Sequence, residues 1–148
     1  MRIIVLGATG MAGTAVVNEA LSRGHEVTAV SRRRRHRAGA GVTSCLLDVT
    51  DVEGVAGLLT DSDVAVVALR PPAGHESDLA RLTTAVLDAA SRGRTPLLII
   101  GGAAALSSPT DPSTLAIDDP TIVPPAWRDV AQASLDQFRA CQAHSYKG

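Results

Sequence analysis

Five short aliphatic runs, spaced by longer amphipathic stretches, leave this chain few folds to adopt. The runs are RIIVL (2–6), EVTAV (26–30), VTSCLL (42–47), DVAVVAL (63–69) and PLLII (96–100). Each is mostly apolar instead of alternating with polar residues, as parallel strands covered on both faces must be. The stretches between them read as helices. Residues 11–23 carry Val17, Ala20 and Leu21 on one face, with Gly24 placed to stop the helix. Residues 51–60 open with Thr50 and Glu53 at capping-box spacing and bury Val52, Val55 and Leu59. Residues 76–92 align Leu79, Leu82, Val86 and Ala90 and end at Gly93; residues 127–143 align Trp127, Val130, Ala131, Leu135 and Phe138.

Strand then helix, repeated, predicts an α/β fold in one domain over 1–148: a Rossmann-type doubly wound parallel sheet with five strands visible. Residues 31–41 read as a short helix or a loop. Residues 107–125, rich in Ser, Pro, Thr and Asp, read as a long loop of the kind that often carries function. With 45% hydrophobic but only 2% aromatic residues, the core must be built from Val, Leu, Ile and Ala. Trp127 is expected to anchor the last helix in that core. Cys45 and Cys141 lack metal-ligand spacing and read as buried thiols of a reducing compartment. No run reaches the ~18 apolar residues of a membrane span. The N-terminus enters a strand with no signal peptide. The expected setting is cytoplasmic, with no membrane partner and no metal.

GATGMAG, between the first strand and the first helix, is G-x-x-G-x-x-G. A tight strand-to-helix turn needs glycine where φ is positive. Bare backbone also admits a pyrophosphate, and the helix N-terminus offers it free N–H groups and partial positive charge. Gly7, Gly10 and Gly13 fit the turn, the phosphate approach and close helix–strand packing. Thr9 and Met11 add backbone N–H groups. No Gly-Lys-Ser/Thr follows, which excludes a Walker-type phosphate loop.

After the second strand comes SRRRRHR. In a dinucleotide site, an acid here binds the 2′-hydroxyl of NAD, and an arginine accommodates the 2′-phosphate of NADP. The position holds Ser31, Arg32 and Arg33 and no acid, so NADP is expected over NAD. Arg34, Arg35 and Arg37 read as solvent-facing. The chain has 14 Lys and Arg against 15 Asp and Glu, and five of the arginines sit in this one block. The remainder is acidic, which argues against nucleic-acid binding. Asp48, in LLDVTD, has two readings: with Val49 it contacts an adenine, or it forms an Asx-type turn into the next helix.

These motifs, together with GGAAAL after the fifth strand, resemble the atypical short-chain dehydrogenase/reductase superfamily. Within it the chain is most similar to the NAD(P)H-dependent flavin reductase and biliverdin reductase B group, with NmrA-like regulators as neighbours. The resemblance implies that Gly7, Thr9, Gly10, Met11 and Gly13 hold the pyrophosphate, and that Arg32 and Arg33 hold the 2′-phosphate. It implies that Asp48 and Val49 flank the adenine, that Ala68, Leu69 and Arg70 line the nicotinamide ribose, and that Gly101, Gly102 and Ala103 lie beside the nicotinamide.

The departures bear on function. Well-studied members use a serine after the fifth strand and a Tyr-x-x-x-Lys on the next helix. Here that helix offers Trp127 and Ala131 at the matching spacing, Ser107 and Ser108 lie in the loop without an apparent partner, and Tyr146-Lys147 sit at the end of the chain. His75 reads as an exposed residue opening a helix, and His25, His36 and His144 form no cluster. An alcohol dehydrogenase mechanism is thereby rejected. Hydride transfer to a planar acceptor such as a flavin, where solvent supplies the proton, is the expected function. The alternatives are a non-catalytic NADP-sensing regulator and an epimerase- or dehydratase-like protein. The group's sixth strand and substrate lid have no counterpart, so the chain is expected to be natively short or incomplete.

Overall fold

The computed structural model describes residues 1–32 and 39–146. Arg33, Arg34, Arg35, His36 and Arg37, and with them the choice of helix or loop for most of 31–41, lie outside the described residues, as does Lys147.

The element order is β1 (Arg2–Leu6), α1 (Met11–Ser22), β2 (Glu26–Ser31), β3 (Val42–Leu46), α2 (Val52–Thr60), β4 (Val64–Val67), α3 (Asp78–Gly93), β5 (Leu97–Ile99) and α4 (Arg128–Ala143). Single 3-10 turns fall at Ala103–Ala105, Ala116–Asp118 and Pro125–Trp127. The five strands form one parallel sheet ordered β3-β2-β1-β4-β5. The order reverses between β1 and β4, the position where doubly wound sheets open a crevice at the strands' carboxyl ends. Register makes those ends level: Leu6 pairs with both Val30 and Val67, Val30 with Cys45, and Val67 with Ile99.

The chain divides into two compact units. The first comprises Met1–Arg70, Ala85–Ile100 and the last residues from Ser145, and so holds the whole sheet. Its core is aliphatic, as the composition requires. Val5, Val17, Ala20, Val27, Ala29 and Val66 form one cluster, on which Leu21 packs. Ile4 and Leu6 point to the opposite face from Val5 and are equally buried, so the sheet is covered on both sides. Gly24 ends α1 at φ +76°, its N–H donating to Leu21 O.

The second unit comprises Pro71–Thr84 and Gly101–His144. Segment 107–125 is better ordered than its composition suggests. Leu115 and Ile117 join Ala104, Leu135 and Ala131 in a small apolar cluster, and Ser107 bridges to Leu115.

Several expectations need correction. The N-cap of α2 is Asp51, whose carboxylate accepts from Gly54 N, and not Thr50. Thr50 bonds instead to Asp48, and Glu53 pairs with Arg92 of α3, so no capping box forms. Val52, at the first turn of α2, is only half-buried, and Ala56 is buried in addition to Val55 and Leu59. α3 does end at Gly93, as expected, but it begins at Asp78, and the left-handed position falls on Arg94 (φ +54°). The buried residues of α4 are Ala133, Leu135 and Gln137. Trp127 is 57% exposed and Phe138 47%, so neither anchors the core. Cys45 and Cys141 form no disulfide and are half-buried, not buried.

Candidate functional site

In the first unit the crevice is built from the ends of β1, β2 and β4. Gly7 N and Ala8 N both donate to Val30 O, at 3.0 and 3.1 Å, which draws the glycine turn over the end of β2. Gly7 has φ +87°, and a Cβ on it would strike the carbonyl of Ala68 at the end of β4. Gly13 is buried in α1, and a Cβ there would strike Gly7 O and come within 2.9 Å of Ala8 Cα. The fold itself therefore uses Gly7 and Gly13: one closes β1 on β4, the other lets α1 lie against the turn.

Gly10 is different. It caps α1 in an extended conformation, is exposed, and a Cβ on it would find its nearest neighbour, Gly7 O, at 3.4 Å. Packing does not demand glycine there. No side chain caps α1, and its first turn carries no acid. Thr9 is exposed and Met11 is 90% exposed. Thr14 N closes the first helical bond to Gly10 O, and the Thr14 hydroxyl bonds to Ala8 O. Such an uncapped N-terminus, with bare backbone before it, can receive an anion.

Around this turn, Ser31 is the last residue of β2 and Arg32, exposed, follows it. Asp48 Oδ1 accepts from Thr50 N at 3.0 Å and Thr50 Oγ at 2.8 Å, an Asx-type turn. Val49 is buried. Ala68 N still donates to Leu6 O at 2.8 Å, after which Leu69 and Arg70 leave the sheet, with Arg70 exposed. A cavity of about 730 Å³, lined by Arg2, Glu26, Thr43 and Asp61 among others, opens at the strands' amino ends, away from the glycine turn.

Gly101, Gly102 and Ala103 belong to the second unit and are exposed. Gly102 N donates to Ser134 Oγ at 2.8 Å, and a Cβ at Gly102 would strike that hydroxyl. Close approach to α4 thus explains this glycine. Sequence reasoning misses Ser134 and Gln137; the one signal for them is a pair of polar residues three apart on α4.

The serines of the loop prove to have partners. Ser108 is buried and donates to Asp119 Oδ2 at 2.6 Å. Thr110 Oγ donates to the same oxygen at 2.8 Å, and Thr121 N and Oγ donate to Asp119 Oδ1 at 2.9 and 2.5 Å. Bonds from Ser108, Thr121 and Thr110 hold the Asp119 carboxyl far below the usual carboxylate range. A depressed folded value means the stabilisation is present above the unfolded pKa of about 3.9 and is lost as pH falls below it. Hydrogen exchange should therefore find the Thr121 amide protected at neutral pH and released only in acid. Asp119→Asn should release it at neutral pH.

Tyr146 donates from its hydroxyl to Thr95 O at 2.8 Å, just before β5 begins and so at the end of the sheet remote from the crevice. His75 is exposed, 3.8 Å from Asp78 in the turn before α3. No helix of the described residues is long and apolar enough to cross a membrane.

The sequence pattern of the NAD(P)H-binding family matches residues 7–142, from the first glycine of the turn nearly to the end of α4. The uncharacterized protein YwnB of Bacillus subtilis is 32% identical over 123 residues, which is 81% of this chain and 56% of YwnB. Among solved structures, a candidate NADH-flavin reductase of Streptococcus pneumoniae superposes with a TM-score of 0.74 at 27% identity, covering 96% of this chain and 66% of that one. A candidate epimerase of Bacteroides thetaiotaomicron superposes at 0.81 and 25% identity, covering 93% and 62%. The chain thus spans a little over half of YwnB and about two thirds of these structures. Family pattern, sheet topology and glycine turn converge: this chain belongs to the NAD(P)H-binding family, in the atypical short-chain dehydrogenase/reductase superfamily.

Proposed function

We propose that the chain acts as a single NADPH-preferring domain of an oxidoreductase that passes a hydride to a planar acceptor of flavin type. The observation that carries the nucleotide reading is Gly10: glycine where packing does not require it, at the exposed and uncapped head of α1. A dinucleotide pyrophosphate fits that place. Gly7, Thr9, Gly10, Met11 and Gly13 would surround it: Thr9, Met11 and Gly13 would offer backbone N–H groups, while Gly7 and Gly10, whose own N–H groups go to Val30 O and Gly7 O, would leave bare backbone for its approach. Ser31 and Arg32, with Arg33, would meet the 2′-phosphate. Asp48 and Val49 would flank the adenine, Asp48 while keeping one oxygen in its turn. Ala68, Leu69 and Arg70 would line the nicotinamide ribose, and Gly101, Gly102 and Ala103 would lie beside the nicotinamide.

A bound nicotinamide supplies the hydride; the protein's part is positioning. The flavin-type acceptor is supported by the likeness to the candidate NADH-flavin reductase. It is supported also by the engagement of Ser108 and Tyr146 in structural hydrogen bonds, which leaves the reaction to an acceptor that takes its proton from solvent. One observation favours a second reading, an NADP-sensing regulator: Trp127 and Phe138 present aromatic surface on the second unit that suits a protein partner.

Calorimetry tests the cofactor. NADPH should bind tighter than NADH, and Arg32→Ala with Arg33→Ala should remove about 10- to 100-fold of that preference, the worth of a charge-assisted hydrogen bond. Equal binding of the two nucleotides would overturn the NADP assignment. Consumption of NADPH with free flavin would support the reductase over the regulator.

A further inference from the structure

α4 brings a second polar side chain to the turn after β5. Gln137 lies one helical turn beyond Ser134 and is only 2% exposed. Its Nε2 donates to Thr83 Oγ at 3.2 Å. Thr83 is itself fully buried, and its single hydroxyl proton goes to Leu79 O at 2.9 Å. Thr83 Oγ can therefore only accept from Gln137, which settles which end of the amide faces it. The nitrogen is held by Thr83, and Oε1 is turned toward Gly101, 3.4 Å from where a Cβ of that residue would stand. No hydrogen-bond partner for Oε1 occurs among the described residues. The side chain's small exposed area includes this oxygen, so it is not sealed inside the protein. A carbonyl so nearly buried is costly to leave unpaired, and one aimed at an opening marks a place where something else donates. Gly101 is exposed and has no side chain to cover it.

We propose that Gln137 Oε1 is a specificity-determining acceptor for the amide or imide N–H of a flat ring bound at Gly101. The inference rests on the reading that the residues leaving β5 meet the nicotinamide end of the cofactor. Two ligands carry the required N–H: the carboxamide of the nicotinamide, and the ring imide of a flavin-type acceptor. Thr83 and Ser134 act as positioning residues, one orienting the amide and the other holding the Gly101–Gly102 turn against α4.

Ligand pairs on the unaltered protein test this without depending on the folding of a variant. By calorimetry, NADPH is compared with its 3-acetylpyridine analogue, in which a methyl replaces the amide nitrogen. With NADP⁺ present, riboflavin is compared with N3-methylriboflavin. Adenosine 2′,5′-bisphosphate reports the adenosine end alone. If the carboxamide is the donor, the acetylpyridine analogue binds about tenfold more weakly than NADPH; if the imide is the donor, the loss appears in the flavin pair. Gln137→Met should abolish whichever difference is found and leave the bisphosphate affinity unchanged. Bisphosphate and NADPH binding with no difference in either pair, or a difference that survives Gln137→Met, overturns the role of Gln137. Failure of both NADPH and the bisphosphate to bind overturns the cofactor reading itself, and this inference with it.

Discussion

Alanine at Gly10 should leave the protein folded but weaken NADPH binding about 10- to 100-fold, whereas alanine at Gly7 should threaten the fold itself. The three glycines of the turn look alike in sequence, yet their surroundings differ. A methyl on Gly10 would stand 3.4 Å from Gly7 O and 4.0 Å from Ala68 O, ordinary van der Waals contact, and exchanging glycine for alanine at an N-cap costs within about 1 kcal/mol. The same methyl stands where a phosphate would approach, and each charge-assisted hydrogen bond from a backbone N–H that it blocks is worth ~1.5–3 kcal/mol. At Gly7 two penalties add. Alanine must adopt φ +87°, and its methyl would strike the Ala68 carbonyl that closes β4 against the turn. Backbone strain of ~1–3 kcal/mol and overpacking of similar size give a loss of about 2–6 kcal/mol, set against a total stability on the order of 5–15 kcal/mol. Thermal unfolding and calorimetry on both variants separate the cases. A Gly10→Ala protein that binds NADPH like the parent would remove the central support for the nucleotide site.

Leu59→Ala should cost about 2–5 kcal/mol, the range for deleting a fully buried leucine side chain. Leu59, near the end of α2, is fully buried. Gly93 approaches its Cβ to within what would be van der Waals distance for an added methyl, and Thr95 Oγ bonds to its carbonyl at 2.8 Å. The cavity would thus open at the joint where α2 meets the end of α3 and the start of β5. A core made of Val, Ile, Leu and Ala has no large aromatic ring to move into the space, so little collapse is expected. Denaturant unfolding should show a lower midpoint with an unchanged slope. A loss under about 1 kcal/mol would mean that the packing at this joint is looser than the burial of Leu59 implies.

The alternation of aliphatic runs with amphipathic stretches was enough to locate the five strands and four helices, because burial on both faces of a parallel sheet leaves a local trace in every strand. The glycine spacing was legible for the same reason: a tight turn and a bare helix start are short-range demands. Boundaries were less so. Thr50 and Glu53 have the spacing of a capping box, but Asp48 and Arg92 compete for them, and Arg92 is distant in sequence. Trp127 and Phe138 fall on the apolar stripe of α4 by periodicity and are exposed all the same, since a helical pattern says which residues share a face and not how far the covering surface extends.

The candidate site divides along the same line. The sequence by itself determined the sheet, the turn and the family, since each is written in neighbouring residues. Only the tertiary structure decided that Gly7 and Gly13 serve packing while Gly10 does not, that Ser108 belongs to Asp119, and that Thr83, 54 residues away, orients the amide of Gln137. These depend on which atoms meet across long stretches of chain, and no periodicity records a hydrogen bond made between residues so far apart.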